Sequence, residues 1–317
     1  MEKGIFTISL DFELHWGMFD HTPIENKVKA MEETRRAIPM MLNLFEKHEI
    51  EVTWAIVGML YNKNRSEWQL NKPLKTPSFD NKKLSAYTFG DNTTNLDKFP
   101  HCYFAPDLIE LIKKNKSQEI GTHTYAHYYC LESGQNEESF NFDLKKIVEI
   151  SDKNNIKIQS IVFPRNQFNE KYSAICSQNG IVFLRTNPNS WFWNNVSKKS
   201  LSKKIARTLD CYFPISKTSY SKKSIINDNN GISYLPASRF FKPPSGFRIL
   251  DRLRIARIKN EMLKAARNNE VYHLWWHPHN FSNNLENSIN ELNEILEYFN
   301  DLKEKFGMTS KCMKNTL

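Results

Sequence analysis

The 317-residue sequence predicts an α/β fold, with βα units arranged around a mostly parallel sheet, on three observations. Short apolar runs alternate with stretches of helical period, the pattern of strands joined by helices. Four of those runs end directly in polar residues suited to chemistry, as strands do at the functional end of parallel α/β sheets. The length suffices for one large barrel or two ordinary domains, and 40% apolar with 13% aromatic residues supplies a sizeable core.

In chain order, Ile5-Phe6-Thr7-Ile8-Ser9-Leu10 reads as a buried strand that ends in Asp11-Phe12-Glu13. In extended chain, residues two apart point the same way, so both acids face one site. A helix is predicted over 25–47 and a strand over 52–57. Residues 61–101 are polar, contain Pro73, Pro77 and Asp91-Asn92, and read as an insertion. Helix 107–114 and strand 119–122 lead into His123-Thr124-Tyr125-Ala126-His127. Helix 137–152 precedes strand 161–163, which ends in Pro164-Arg165-Asn166; helix 170–178 precedes strand 181–184. A second insertion spans 187–244. Its Trp191-Phe192-Trp193 and Arg239-Phe240-Phe241 either wall a cleft for sugar rings or pack a small subdomain. Helix 249–266 and strand 271–275 come before Trp276-His277-Pro278-His279-Asn280. In the last helix, 285–302, Leu285, Ile289, Leu292, Leu296 and Phe299 form an apolar stripe for the core.

The strongest chemical signal is the histidine pair. At a spacing of four, His123 and His127 lie on one side of a helical turn, where two ring nitrogens converge at about 2.0–2.1 Å from zinc. A catalytic ion takes its third ligand from a carboxylate, Glu13 or Asp11, and leaves a position for water. The plain alternative is a histidine-rich loop and an acidic strand end that never meet. His15, His21 and His273 read as structural, and Trp16, Trp275 and Trp276 as core before substrate walls.

Composition excludes several classes. The five cysteines are scattered, with no C-x-x-C pair, which fits a reducing compartment. A formal charge of +9 suits an anionic partner, but the lysines are dispersed among asparagines, as in Asn71-Lys72-Pro73-Leu74-Lys75, without a compact nucleic-acid motif. No nucleic-acid partner is expected. No apolar run approaches the roughly 20 residues of a membrane span, and the start runs straight into a strand, so a cytoplasmic protein is expected.

With Asp11-Phe12-Glu13, His123-Thr124-Tyr125-Ala126-His127, Phe163-Pro164-Arg165-Asn166 and His277-Pro278-His279 in view, the chain resembles the polysaccharide deacetylases, the NodB-homology group of carbohydrate esterases. The similarity runs through most of the sequence. It implies a single irregular (β/α) barrel over 1–317 with long loop insertions. It also implies a divalent metal, Zn²⁺ above all, held by Glu13, His123 and His127. Asp11 resembles the catalytic base, Arg165 the arginine that orients it, and His277 the general acid, with His279 competing for that role. The Asp-x-Glu order departs from the adjacent Asp-Asp of the group and leaves base and ligand interchangeable between Asp11 and Glu13. Pro164-Arg165 reverses the usual order, and 187–191 holds no clear counterpart of a further motif. The expected reaction is removal of an acyl group, chiefly N-acetyl, from a sugar or sugar precursor in polysaccharide biosynthesis, for which the basic surface and expected location favour a nucleotide- or lipid-linked precursor over an exported polymer. The alternatives are a metal-free amidohydrolase and an inert glycan-binding protein on the same fold.

Overall fold

The computed structural model of the protein describes residues 3–194, 200–213, 215–216 and 218–317, with Ile226 by its backbone alone. Its strands are β1 (Ile5–Phe12), β2 (Val52–Ile56), β3 (Gln118–Thr122), β4 (Ser160–Val162), β5 (Phe183–Thr186), β6 (Ile226–Asn227), β7 (Ser233–Pro236), β8 (Arg239–Phe240), β9 (Val271–Trp276) and β10 (Thr309–Ser310). The helices are α1 (Val28–Lys47), α2 (Arg65–Leu70), α3 (Ala86–Asn92), α4 (Asn95–Lys98), α5 (Pro106–Lys114), α6 (Glu137–Lys153), α7 (Ser173–Gln178), α8 (Leu201–Asp210), α9 (Arg248–Asn268) and α10 (Leu285–Phe306).

Neighbouring strands follow the order β6-β7-β5-β4-β3-β2-β1-β9-β8, parallel throughout except for the β6–β7 hairpin. The two ends of this path are joined by the chain itself. β7 pairs with β5, and after Ala237 and Ser238 the same strand continues as β8 against β9. Across the bend, Ala237 N donates to Thr186 O and Ser238 N to His273 O. One bent strand therefore closes the sheet into a ring of β1, β2, β3, β4, β5, β7–β8 and β9, an irregular (β/α) barrel.

Strand alternation then sorts the side chains. Phe6, Ile8, Leu10 and Phe12 of β1 join the main hydrophobic core under the helices, with Met41 and Phe45 of α1 and Leu292, Leu296 and Phe299 of α10. The other face of β1, Thr7, Ser9 and Asp11, looks into the barrel. There Ser9 and Asp11 meet Arg185 of β5, which lies four strands away along the sheet, so the contact spans the lumen. Ala55, Val162, Leu235 and Met313 make a small apolar cluster of their own. At the N-terminal end of the strands, Met313 N donates to Thr53 Oγ1 and Lys314 N to Glu119 Oε2, so the C-terminal turn plugs that end.

Most predicted elements coincide with observed ones to within a few residues. The segment 61–101 folds as three short helices, α2 to α4, capped by Asn64 and Ser85. The segment 187–244 departs from an insertion in its last part, because β7 and β8 belong to the barrel wall. Of that segment, residues 195–199, 214 and 217 lie outside the described residues.

Candidate active site

All predicted site residues sit at the C-terminal ends of strands, and the ring of strands brings most of them together. Glu13 follows β1, and its carboxylate Oε2 lies 3.0 Å from His127 Nε2 and 3.4 Å from His123 Nε2. One donor atom from each of the three lies within 4.8 Å of the others, and all three residues are buried. The histidines converge by a route the sequence did not suggest. Residues 123–127 form no helix; Thr124 and His127 have positive φ, 63° and 51°, and the chain loops so that both rings turn inward.

The loop is held from below by Asp143 of α6. Its carboxylate accepts Tyr125 N at 2.7 Å, Ala126 N at 3.1 Å and the Tyr87 hydroxyl at 3.1 Å. Burial pushes this carboxyl up to about 7 despite the three donors. The folded state thus binds the proton more tightly than the unfolded chain, whose value is near the ordinary 3.8, and stability should fall as pH rises between those values. Asp143→Asn should flatten that slope in urea denaturation at pH 5 and 7. Asp143→Ala, which orphans two buried N–H groups, should cost about 2–4 kcal/mol.

Five of the eight non-glycine residues with positive φ among the described residues lie in the loops of this site: Leu14, Thr124, His127, Arg165 and Asn166. Backbone in that region costs on the order of 1–3 kcal/mol per residue and persists where surroundings fix it. Here the fixing groups include Asp143, and Asn62, which donates to Tyr125 Oη at 3.4 Å.

Asp11, next to the cluster, is buried in a bidentate ion pair: Arg185 Nη1 and Nη2 each lie 2.7 Å from one carboxylate oxygen. Burial raises the carboxyl, but Arg185, with His123 and His277 nearby, more than offsets this and holds it below its ordinary value. Glu13 behaves likewise: burial opposes ionisation, and His277, His123 and His127 carry it well below the usual range. Arg185 is fixed in turn by Ser9 Oγ at 3.0 Å, Asn166 Oδ1 at 3.1 Å and the Trp275 ring, 4.4 Å from its guanidinium carbon. Ser9 also meets His273 Nε2 at 2.8 Å, which places His273 behind the arginine, away from the cluster.

Arg165, expected to orient Asp11, goes elsewhere. Its φ of 54° turns the side chain across the Tyr129 ring, 4.4 Å away, and onto both carboxylate oxygens of Asp20 at 2.5–2.7 Å. Arg185 fills the place beside Asp11. Arg185 ends an apolar run, Ile181-Val182-Phe183-Leu184, so the strand-end rule that nominates the other site residues applies to it as well.

His277, after β9, has Nε2 at 3.6 Å from Glu13 Oε1 and 3.7 Å from Asp11 Oδ2. Asn280 Oδ1 lies 3.3 Å from its Nδ1 and accepts its backbone N–H at 3.1 Å, which fixes the ring. His279 stacks on it with centroids 4.9 Å apart and points Nδ1 at Glu13 Oε1 from 3.8 Å. The aromatic segments divide. Trp193 and Phe240 stand 6.1 and 4.9 Å from Trp275 and border the site, whereas Phe192 is buried, and Phe241 packs on Trp276 and Phe281 in the core. Trp16 packs with Trp68, Phe19 and Tyr103.

The donors fit a divalent cation. Both ring nitrogens of His123 and Nδ1 of His127 are buried without a hydrogen-bond partner, a costly state unless something accepts their lone pairs. Burial, the largest influence, keeps His127 below its usual pKa and so in the neutral form a metal requires. Gly17 completes the cradle, because a Cβ there would stand 2.1 Å from the Glu13 carboxyl carbon. Gly17→Ala should therefore displace Glu13 and weaken metal binding at least tenfold in a competition titration, the size of effect seen when groups supporting a ligand are lost.

No family model matches this sequence, and no curated protein matches it. Solved structures do. A Mycobacterium smegmatis protein assigned to the polysaccharide deacetylases superposes over 99% of this chain and 89% of its own with a TM-score of 0.60 at 12% identity. The fold is that of the polysaccharide deacetylases. The same scaffold recurs in glucan-acting enzymes: the α-amylase AmyC of Thermotoga maritima (TM-score 0.57, 12% identity, 99% of this chain and 75% of that one) and a GH57-type branching enzyme of Pyrococcus horikoshii (0.55, 13%, 99% and 70%). No helix among the described residues is long and apolar enough to cross a membrane.

Proposed function

We propose that this deacetylase-fold protein is a metal-dependent hydrolase that removes an acyl group, chiefly N-acetyl, from a sugar. The observation that carries the reading is the buried Glu13–His123–His127 cluster beside an ionised Asp11. Neither glycan binding nor glycosyl transfer needs two buried histidines turned onto one carboxylate, whereas metal-assisted hydrolysis does.

Glu13, His123 and His127 would hold the ion, Zn²⁺ above all. Bound there, it would supply Lewis acidity toward the acyl carbonyl and lower the pKa of a bound water to about 7. Asp11 takes the proton of the attacking water, and Arg185 keeps it ionised and turned toward the site through two charge-assisted hydrogen bonds. As the C–N bond breaks, the departing amine needs a proton, and His277 would deliver it from Nε2, a role supported by its place beside both acids and by Asn280, which fixes the ring from the other side. His279, stacked behind, supports the orientation of His277. The products are a free carboxylate and an amino sugar.

The test is mass spectrometry of N-acetylated sugars, nucleotide-linked, lipid-linked and free, after incubation with metal-loaded protein. An acetyl-sized loss that disappears in Asp11→Asn is the expected result. Absence of any such loss across the three groups, with metal bound, would overturn the reading.

A further inference from the structure

Beside the site lies a cavity of about 690 Å³ that the hydrolytic groups do not use. Its inner wall is Trp193 and Phe240, and Phe240 also stands 6.3 Å from His277, centroid to centroid, so one aromatic ring separates cavity and catalytic cluster. Its outer wall carries Lys204 and Arg207 of α8, one turn apart, and Lys242 after β8.

Charge in this cavity is unbalanced. Asp210 is the one carboxylate lining it, and it is already engaged by Arg239 at 3.4 Å, Arg257 at 3.1 Å and the Ser216 hydroxyl. Among the described residues, Lys204, Arg207 and Lys242 form no ion pair. Arg207 lies over Trp193, 5.2 Å from the ring, and among the described residues donates only to the Lys203 carbonyl. Burial alone lowers its pKa, with no carboxylate to offset the desolvation. Lys242 Nζ reaches the Tyr212 hydroxyl at 3.1 Å, a neutral partner. The buried Arg239 in the same cavity wall, and the buried Arg254 and Arg257 elsewhere, are matched by acids. Three unmatched cations around a concave, aromatic-walled space focus a positive potential on whatever enters it.

Resting on the deacetylase reading, we propose that this cavity binds a phosphate group carried by the substrate, so that the acylated sugar is presented to the metal cluster as a phosphate-linked sugar and not as a neutral glycan. Arg207 provides the planar fork that matches phosphate oxygens, and Lys204 and Lys242 add point charges. Trp193 and Phe240 cover an apolar sugar face between the two ends. The phosphate can belong to a nucleoside diphosphate sugar or to a lipid-linked sugar, and both present the same anion.

The experiment is calorimetric titration of the intact protein with inorganic pyrophosphate, with a nucleoside diphosphate N-acetylhexosamine, with a short-chain polyprenyl diphosphate N-acetylhexosamine and with a neutral N-acetylated oligosaccharide. Wild type is compared with Arg207→Lys and with the double variant Lys204→Gln, Arg207→Gln. The expected result is tighter binding of the anionic compounds, weakened by salt, and a loss of about tenfold or more in the double variant, partly restored in Arg207→Lys. The tighter of the two sugar diphosphates identifies the source. Unchanged affinity for pyrophosphate in the double variant, or equal affinity of wild type for neutral and anionic sugars, overturns the proposal. Because binding is read without turnover, phosphate recognition through Arg207 in a protein that hydrolyses nothing would uphold this cavity while removing the deacetylase reading.

Discussion

His127→Ala is expected to empty the metal centre and lower turnover by at least about 10²–10³-fold, the usual cost of losing one aligned charge-stabilising group. Two readouts separate metal loss from misfolding. Elemental analysis of the purified variant should show metal falling from one equivalent to a trace. The thermal midpoint of the wild type should rise on adding Zn²⁺, because an ion that binds only the folded state adds about 2.7 kcal/mol at a hundredfold excess over its Kd. The variant should show no such rise. His123→Ala and Glu13→Ala should behave alike, since each removes one of three mutually close donors. Asp11→Asn, in contrast, should keep the metal and lose turnover. Full activity in any of these variants would defeat the proposed chemistry.

Arg185→Met should be the most destabilising single change near the site. The pair it breaks is buried on both sides, with side-chain exposures of 1% and 3%, and stranding Asp11 without its partner should cost about 3–5 kcal/mol. The variant also reports on the base. In the native protein the lowered Asp11 pKa contributes stability that is present above the unfolded value and is lost as pH falls through the folded one. With Arg185 gone, burial acts unopposed, the carboxyl rises, and the acid limb of the rate profile should move to higher pH. Arg165→Met makes the contrast. Its pair with Asp20 is buried on the acid's side only, with side-chain exposures of 33% and 6%, so its loss should cost less than that of the Arg185 pair, about 1–2 kcal/mol, and leave the acid limb in place. Urea denaturation and pH–rate profiles of the two variants decide which arginine serves Asp11. The reverse ranking would return that role to Arg165.

What the sequence discloses about this protein follows the range of the forces involved. Strands such as 5–10 and 271–275 are legible because both faces are buried and their apolar runs are bounded by polar strand ends. The candidate ligands are legible because residue type and strand-end position suffice to nominate them. The assignment of Arg165 fails because the pairing of an arginine with a carboxylate depends on two positive-φ residues, Arg165 and Asn166, that nothing local announces. The helical turn expected at 123–127 fails for the same reason. Asp143 overrides local preference by binding two successive backbone N–H groups from 17–18 residues away. A trace of that role was visible, since Asp143 interrupts the apolar face of α6 between Phe140 and Leu144. The strand Ser233–Pro236 escapes notice because it is short, ends in proline and lies within a polar region; only its pairing with β5, and its continuation as β8 against β9, reveal it as wall.

The position of β1 has a consequence for biosynthesis. The first strand of the chain lies between β2 and β9, so its pairing partner on one side emerges from the ribosome more than 260 residues after it. Until then a nascent chain carries Asp11 on, and Glu13 just after, a strand with one ladder of backbone groups unfulfilled, and His277, which faces both, is not yet in place. Such distant closure makes folding slow, because loop entropy is lost before the contacts that repay it can form. Fragments released early should engage chaperones and show no hydrolysis, which confines any deacetylating power to molecules whose translation has passed β9.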